Sequence, residues 1–328
     1  MRLLSTTLAF AAFTGVLSVK LTYSNSSLFH IRVVTWSVNK NNLPNDLSDL
    51  VGVNNWSQTP EADMIVIGLQ NLGILANDKD EWIKALKAEA SGYYTIDASV
   101  HKGNALVVLA KVTIPSNFST TLVTRAVNLK MFSKVGAIIT NFNLFNTQFT
   151  FVGLRLSEKA DAQRRINQYE AVRKNIKENY DPDSDYVFWL GNFNFKIDLD
   201  STNVKPLIEK KDWSTLLLHD QLKKAQKDKE SFEDLTEQNI NFRPTYKFKP
   251  STNTYNWNVT PSWADRILFR SKKNSTLTPL KYELIEEYTK TEHKPVVGEF
   301  FVRLNCRSSC SNSRYPLSTD LSTSRPIL

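Results

Sequence analysis

The stretch Phe188-Trp189-Leu190-Gly191-Asn192-Phe193-Asn194 decides how this chain folds. With Tyr186 and Val187 ahead of it, it is a short aromatic and β-branched run, the pattern of a strand buried on both faces. Outward from it, runs of the same kind recur at Ile31 to Trp36, Met64 to Leu69, Ala105 to Ala110, Ala137 to Leu144, Gln148 to Leu154, Ala264 to Phe269 and Val296 to Leu304. Their length and composition favour strands over helix segments. Between them, Asp80 to Glu89 carries Trp82, Ile83 and Leu86 along one stripe, and Ser157 to Asn179 carries Tyr169, Val172 and Ile176 inward. A third helical stretch covers Val204 to Lys229. Strands interspersed with helices predict an α/β (α+β) fold: packed mixed sheets covered on the outside by helices.

The chain has 328 residues, of which 41% are hydrophobic, enough for one large domain with a deep core. No repeat or low-complexity linker divides residues 28 to 304, which read as one domain. After Cys306 the composition turns to Ser, Arg and Pro, and residues 305 to 328 are expected to form a mobile tail. Residues 1 to 18 read as a secretory signal, with Arg2 in the n-region, an apolar Leu8 to Leu17 and a small-residue cleavage site at Val16-Leu17-Ser18. The expected location is therefore extracellular. Sequons at Asn25, Asn55, Asn117, Asn258 and Asn274 fit that route. Cys306 and Cys310 are the only cysteines, which excludes a disulfide framework or a cysteine-rich metal site and suits one local tail disulfide. The net charge of +8 favours anionic partners, with peripheral contact to a membrane surface among them. The lysines are spread along the chain, so a solvated surface is the plainer reading of that charge. No nucleic-acid partner is expected, and the protein is expected to be a monomer.

Six segments, in order and suitably spaced, carry a resemblance. The heptad above is followed by Pro244-Thr245-Tyr246-Lys247-Phe248, by Pro261-Ser262-Trp263-Ala264-Asp265-Arg266-Ile267-Leu268 and by Thr291-Glu292-His293-Lys294-Pro295-Val296. Thr35-Trp36-Ser37-Val38-Asn39 and Ile67-Gly68-Leu69-Gln70-Asn71 precede it. Together they resemble the inositol polyphosphate 5-phosphatases of the endonuclease/exonuclease/phosphatase superfamily, whose segments read TWNVNG, GFQE, FWFGDFNYR, PTYKY, PAWCDRIL and SDHRPV. The resemblance implies a four-layer sandwich and hydrolysis of a phosphomonoester by Mg²⁺ and an activated water.

It also implies where that chemistry has changed. The metal would sit on the last residue of GFQE and the first Asn of TWNVNG, which are Asn71 and Ser37 here. An amide keeps an oxygen but loses the charge that offsets desolvation of a hard cation. The Asp that activates the nucleophile becomes Asn192, which accepts no proton near neutral pH. The phosphate-facing histidine becomes Arg155, a planar fork of donors that binds phosphate but shuttles no proton. Asn194, Asp265 and His293 are retained, with Glu292 standing where the family has Asp. Lys196, Lys247 and Arg266, in or beside the same segments, are expected to join Arg155 in meeting substrate. The implied reading is a degenerate phosphatase site that binds a phosphoinositide, an inositol phosphate or another anion without turning it over. Residual phosphoinositide 5-phosphatase activity is one alternative.

The segments Pro244 to Pro250, Thr260 to Trp263 and Thr291 to His293 are also similar to the salivary nitrophorins of bed bugs, haem proteins on the same fold. That resemblance implies a haem-bound cysteine thiolate ahead of a Gly-Tyr pair. The matching stretch, Asp80-Glu81-Trp82 before Gly92-Tyr93, has no cysteine. Haem would then need a histidine ligand from His30, His101, His219 or His293. No cofactor is expected.

Overall fold

The computed structural model describes residues 28–40, 43–53, 61–73, 76–114, 122–130, 133–180 and 183–305. The expected signal segment, both cysteines, most of the tail and the sequons at Asn25, Asn55 and Asn117 lie outside them. Asn258 and Asn274 are described and exposed.

In chain order the elements are β1 (Leu28–Lys40), α1 (Ser48–Val51), β2 (Met64–Leu72), α2 (Ala76–Glu89), β3 (Tyr93–His101), β4 (Asn104–Lys111), β5 (Leu122–Asn128), β6 (Gly136–Leu144), β7 (Thr147–Arg155) and α3 (Ala162–Asn179). Then follow β8 (Tyr186–Asn192), α4 (Ser201–Glu209), α5 (Trp213–Leu217), α6 (Gln221–Lys227), β9 (Asp265–Ser271), β10 (Leu277–Leu284) and β11 (Val296–Arg303). They form a six-stranded sheet in the order β10-β11-β1-β2-β4-β3 and a five-stranded sheet in the order β5-β6-β7-β8-β9. Both are mixed: β1 runs parallel to β2 and β7 parallel to β8, while the remaining pairs are antiparallel.

The sheets pack face to face over Ile31, Val33, Val66, Leu106, Phe142, Phe149, Phe151, Phe188 and Phe300, all at most 1% exposed. The Phe142, Phe149 and Phe151 rings stack 5.7–6.1 Å apart, and Phe188 meets Phe300 edge-on at 5.0 Å. Offset and edge-on ring pairs add to the area they bury. The outer face of the six-stranded sheet carries α1 and α2 over Trp36, Leu50, Trp82 and Leu86, and that of the other sheet carries α3 and α6 over Leu154, Tyr169, Trp189 and Leu222. This is the four-layer architecture expected.

The strand expected at Tyr186 is buried at every position. Three strands, β3, β5 and β10, were not expected. All three lie at sheet edges, where one flank and part of a face meet water, so their polar content hides the apolar run. The single helix expected over Val204 to Lys229 is three: α4, α5 and α6. Asp200, Asp212 and Asp220 each accept from the backbone N–H three residues on, at 2.9, 3.1 and 3.0 Å, so these aspartates are successive N-caps. Likewise α3 starts at Ala162 rather than Ser157, because Asp161 caps it through the Arg164 amide at 2.7 Å.

Candidate functional site

Four strand ends bring the site together. β7 and β8 are in parallel register with Leu154 opposite Gly191 and Arg155 opposite Asn192, and across β9 Asn192 faces Asp265. Gly191 makes the first of these approaches close: at φ +151° a Cβ there would lie 2.0 Å from the Leu154 carbonyl oxygen. The glycine in the deciding heptad therefore sets how near Arg155 and Asn192 come.

From the other sheet β1 contributes Ser37, whose Oγ is 3.3 Å from Asn192 Nδ2. The loop ahead of β11 contributes His293, whose Nδ1 is 2.8 Å from Asp265 Oδ2. Thr245 donates its hydroxyl to the same carboxylate oxygen at 2.7 Å. Asn194, at φ +57°, donates its amide to the Leu156 carbonyl at 2.8 Å and so ties β8 to the chain leaving β7. Asn192 Oδ1, Asn194 Oδ1 and Asp265 Oδ1 are buried and accept no hydrogen bond from the described residues. Such groups cost free energy unless a ligand or solvent supplies a donor.

Tyr246 covers this cluster. Its ring lies 4.4 Å from that of His293, and its hydroxyl donates to Glu158 at 2.8 Å. The Lys196 ammonium stands 4.4 Å from the centre of the Tyr246 ring, a cation–π distance. Burial pushes the Lys196 ammonium down to about 8, against the attraction of Glu158. Burial also works to raise the Glu158 carboxyl, but the Tyr246 hydroxyl and the charges of Lys196 and Arg155 hold it below the usual range. Lys247 pairs with Glu292 at 3.0 Å on the rim.

Arg155 turns only loosely to Glu158, at 3.9 Å, and its Nε is buried without a partner among the described residues. Burial lowers its affinity for the proton, opposed by Glu158 and Asp265, and the guanidinium remains a cation at any ordinary pH. Arg266 is a correction to the sequence reading. It is wholly buried, donating to both Glu237 oxygens at 2.6 Å and to both Asp220 oxygens at 3.0 and 3.1 Å, so it meets no substrate. An arginine beside a site aspartate reads as a ligand contact in sequence. Here successive strand residues point to opposite faces, and Arg266 faces α6 instead.

Asn71 is at the same end, one residue past Gln70, the register partner of Ser37. Its side chain is already engaged: Lys134 Nζ lies 3.0 Å from Asn71 Oδ1 and 3.3 Å from the Asn71 carbonyl, and also bonds the Leu72 carbonyl. An ammonium therefore already holds the Asn71 side-chain oxygen on which the resemblance puts a divalent cation. Among the described residues no three His, Cys, Asp or Glu side chains are grouped to hold a metal. The donors do not fit Mg²⁺ at this position. Sequence reading missed Lys134, which lies in no recognisable motif, and the tie from Thr245 to Asp265, although Thr245 is within a quoted segment.

The stretch matched to the haem-thiolate segment carries no ligand, and three of the four candidate histidines already have polar partners. Trp82 on α2 packs edge-on against Trp36 at 5.6 Å within the core. His30 is 3.2 Å from Glu299, His101 is 2.8 Å from Asn128, and His293 is held by Asp265 beneath Tyr246.

Residues 34–299 match the Endonuclease/Exonuclease/phosphatase family 2. The chain is 30% identical to Nitrophorin Cim l NP of Cimex lectularius over 90% of its own length and 97% of that protein's. It is 27% identical to mouse phosphatidylinositol polyphosphate 5-phosphatase type IV over 85% of its length but only 46% of the enzyme's, so it spans about half of that relative. Among solved structures it is similar to a ferrous NO complex of Cimex nitrophorin, with a TM-score of 0.71 and 28% identity over 84% of this chain and 99% of that one. The inositol polyphosphate 5-phosphatase domain of SPsynaptojanin, in complex with inositol (1,4)-bisphosphate and calcium ion, superposes with a TM-score of 0.77 at 24% identity, over 85% and 86% of the two chains, a likeness of fold.

Proposed function

Because the chain belongs to the Endonuclease/Exonuclease/phosphatase family 2, we propose that it is a secreted binding protein that holds a phosphorylated, anionic ligand in the cleft and does not turn it over. The observation that carries this reading is Arg155: a cation at a strand end whose buried Nε has no partner among the described residues and whose one ion pair, to Glu158, is long at 3.9 Å. A group so placed gains most from a ligand that brings its own negative charge. Loss of turnover is supported by the chemistry of the neighbours. Asn192 cannot take a proton, Arg155 cannot give one, and Lys134 occupies the oxygens of Asn71. Removal of single catalytic groups costs about 10² to 10⁴ in rate, without simple additivity.

The test pairs phosphate release with titration calorimetry, on inositol phosphates and on vesicles bearing phosphoinositides, with Mg²⁺ present. Binding without release at a typical enzyme rate, about 1 to 10³ per second, is expected. Turnover at such rates, or no heat of binding with any of these ligands, overturns the reading. Kinship with a nitrophorin favours a haem and nitric-oxide carrier as the second reading. A saturable Soret band shifted from that of free haemin would establish it, and no shift is expected with Trp82 packed on Trp36 in the stretch that lacks the thiolate.

A further inference from the structure

Beside Arg155 a hollow of about 210 Å³ is lined by Lys130, Arg155, Lys159 and Arg164, with Glu158 and Ser157 between them. Four cations thus face one carboxylate. That carboxylate is already committed, since Glu158 accepts from the Tyr246 hydroxyl at 2.8 Å. Asp161, next along the chain, spends its Oδ1 on the Arg164 amide as the cap of α3. Among the described residues Lys130, Lys159 and Arg164 have no carboxylate within ion-pair distance, and all three are exposed.

Exposed cations normally scatter or alternate with acids, because like charges held close repel at low ionic strength. Here they are gathered round a concavity by three separate segments: the turn after β5, the turn after β7 and the first turn of α3. A hollow walled by one sign of charge focuses its field on an incoming counter-ion. Arg164 also borders a wider groove of about 560 Å³ with Asn128, Gln163 and Asn167 on its wall, which leaves room for the uncharged body of a ligand.

We propose that this hollow is a second anion subsite, so that the ligand carries at least two phosphate groups on one small scaffold, one on the cleft side of Arg155 and one among Lys130, Lys159 and Arg164. The proposal rests on the binding reading above and adds a valency to it. Arg155 is shared by both subsites, and its fork of donors suits bridging two anions. The same chemistry is offered by a soluble polyol bisphosphate and by a phosphoinositide headgroup at a bilayer.

The experiment is calorimetry on the intact protein with inositol 1-phosphate and inositol 1,4-bisphosphate, using the wild type, Arg155→Ala and the triple variant Lys130→Gln/Lys159→Gln/Arg164→Gln. The triple change is confined to exposed side chains, and its folding is checked by thermal melting. Wild type should bind the bisphosphate at least tenfold more tightly than the monophosphate. The triple variant should lose that preference while its monophosphate affinity moves less than twofold. Equal loss for both ligands, or no loss for either, overturns the second subsite and leaves the Arg155 reading standing. Absence of any binding by the wild type overturns both. Flotation with phosphatidylcholine vesicles containing 5% phosphatidylinositol 4-phosphate separates the sources: recruitment that the triple variant loses assigns the headgroup, and its absence alongside bisphosphate binding assigns a soluble ligand.

Discussion

The ammonium of Lys134 lies 3.0 Å from Asn71 Oδ1, at the end of β2 where the fold brings its polar strand ends together. Its position is fixed from both sides. Asn104 Nδ2 donates to the Lys134 carbonyl at 2.8 Å, and the lysine stem runs so close over Gly103 that a Cβ there would approach it to 3.2 Å. An oxygen cage that already holds a monovalent cation has neither space nor uncompensated charge for a second. Asn71→Glu alone should pair with Lys134 and leave the melting temperature indifferent to Mg²⁺ or Mn²⁺. Asn71→Glu with Lys134→Met should acquire a stabilisation that rises with metal concentration, about 2.7 kcal/mol at one hundred times the dissociation constant. A metal-dependent shift in the wild type would show that the ammonium does not exclude the ion.

Arg155→Ala should weaken binding of an inositol phosphate by about 1.5 to 3 kcal/mol, the range for a hydrogen bond to a charged group. Arg155→Lys should recover only part of this, because a point charge lacks the planar fork. Calorimetry at two salt concentrations checks both, and equal affinity in Arg155→Ala would remove the anchor.

Lys196 titrates near 8, so its charge is present at neutral pH and is lost as pH rises through that value. Affinity for an anion should therefore fall between about pH 7 and 9. Binding near pH 8 should draw a proton from the buffer, seen as a heat that scales with buffer ionisation enthalpy. Lys196→Met should flatten the pH profile; an unchanged profile in that variant would place the lysine outside the ligand's field.

Acid stability has a separate origin. Burial works to raise the Glu237 carboxyl, but Arg266 and Lys223 outweigh it and hold it down at about 2, below its value of 4.5 in the unfolded chain. A carboxyl depressed on folding contributes stability above the unfolded value, and this is lost as pH falls from about 4.5 towards 2. Asp220 acts in the opposite sense, because its burial outweighs the attraction of Arg266 and raises it. Among the wholly buried pair the acid limb should thus come from Glu237, and Glu237→Gln should make it shallower. Arg266→Met, which removes the cation from buried Asp220 and leaves Glu237 with Lys223 alone, should cost about 3 to 5 kcal/mol in denaturant unfolding. A loss under 1 kcal/mol would mean that water reaches the cluster.

The sheet centres were legible because Phe188, Val66 and Leu106 lie in strands covered on both faces, and a short continuous apolar run bounded by polar turns is the pattern such strands leave in sequence. Edge strand β5 was not, since Leu122, Val123 and Arg125 face solvent like a loop. Within the cleft, the link of Asp265 to His293 follows from segments whose spacing sequence preserves. The link of Asn71 to Lys134 spans 63 positions between segments of no fixed pattern, and only the folded chain reveals it. Arg266 was misassigned because the pleat that turns Asp265 to the cleft turns its neighbour to the opposite face.

Alternation along β9 also separates frame from rim. The Asp220, Glu237 and Arg266 cluster clamps β9 from behind, contributing rigidity with side chains that no ligand needs to touch. Replacements among Asn71, Arg155 and Asn192 therefore fall at strand ends whose frame is secured elsewhere, and sites that share no partners change stability nearly independently. A scaffold wired in this way can exchange one chemistry for another by small steps at its rim, each of them foldable, without passing through a loosened intermediate.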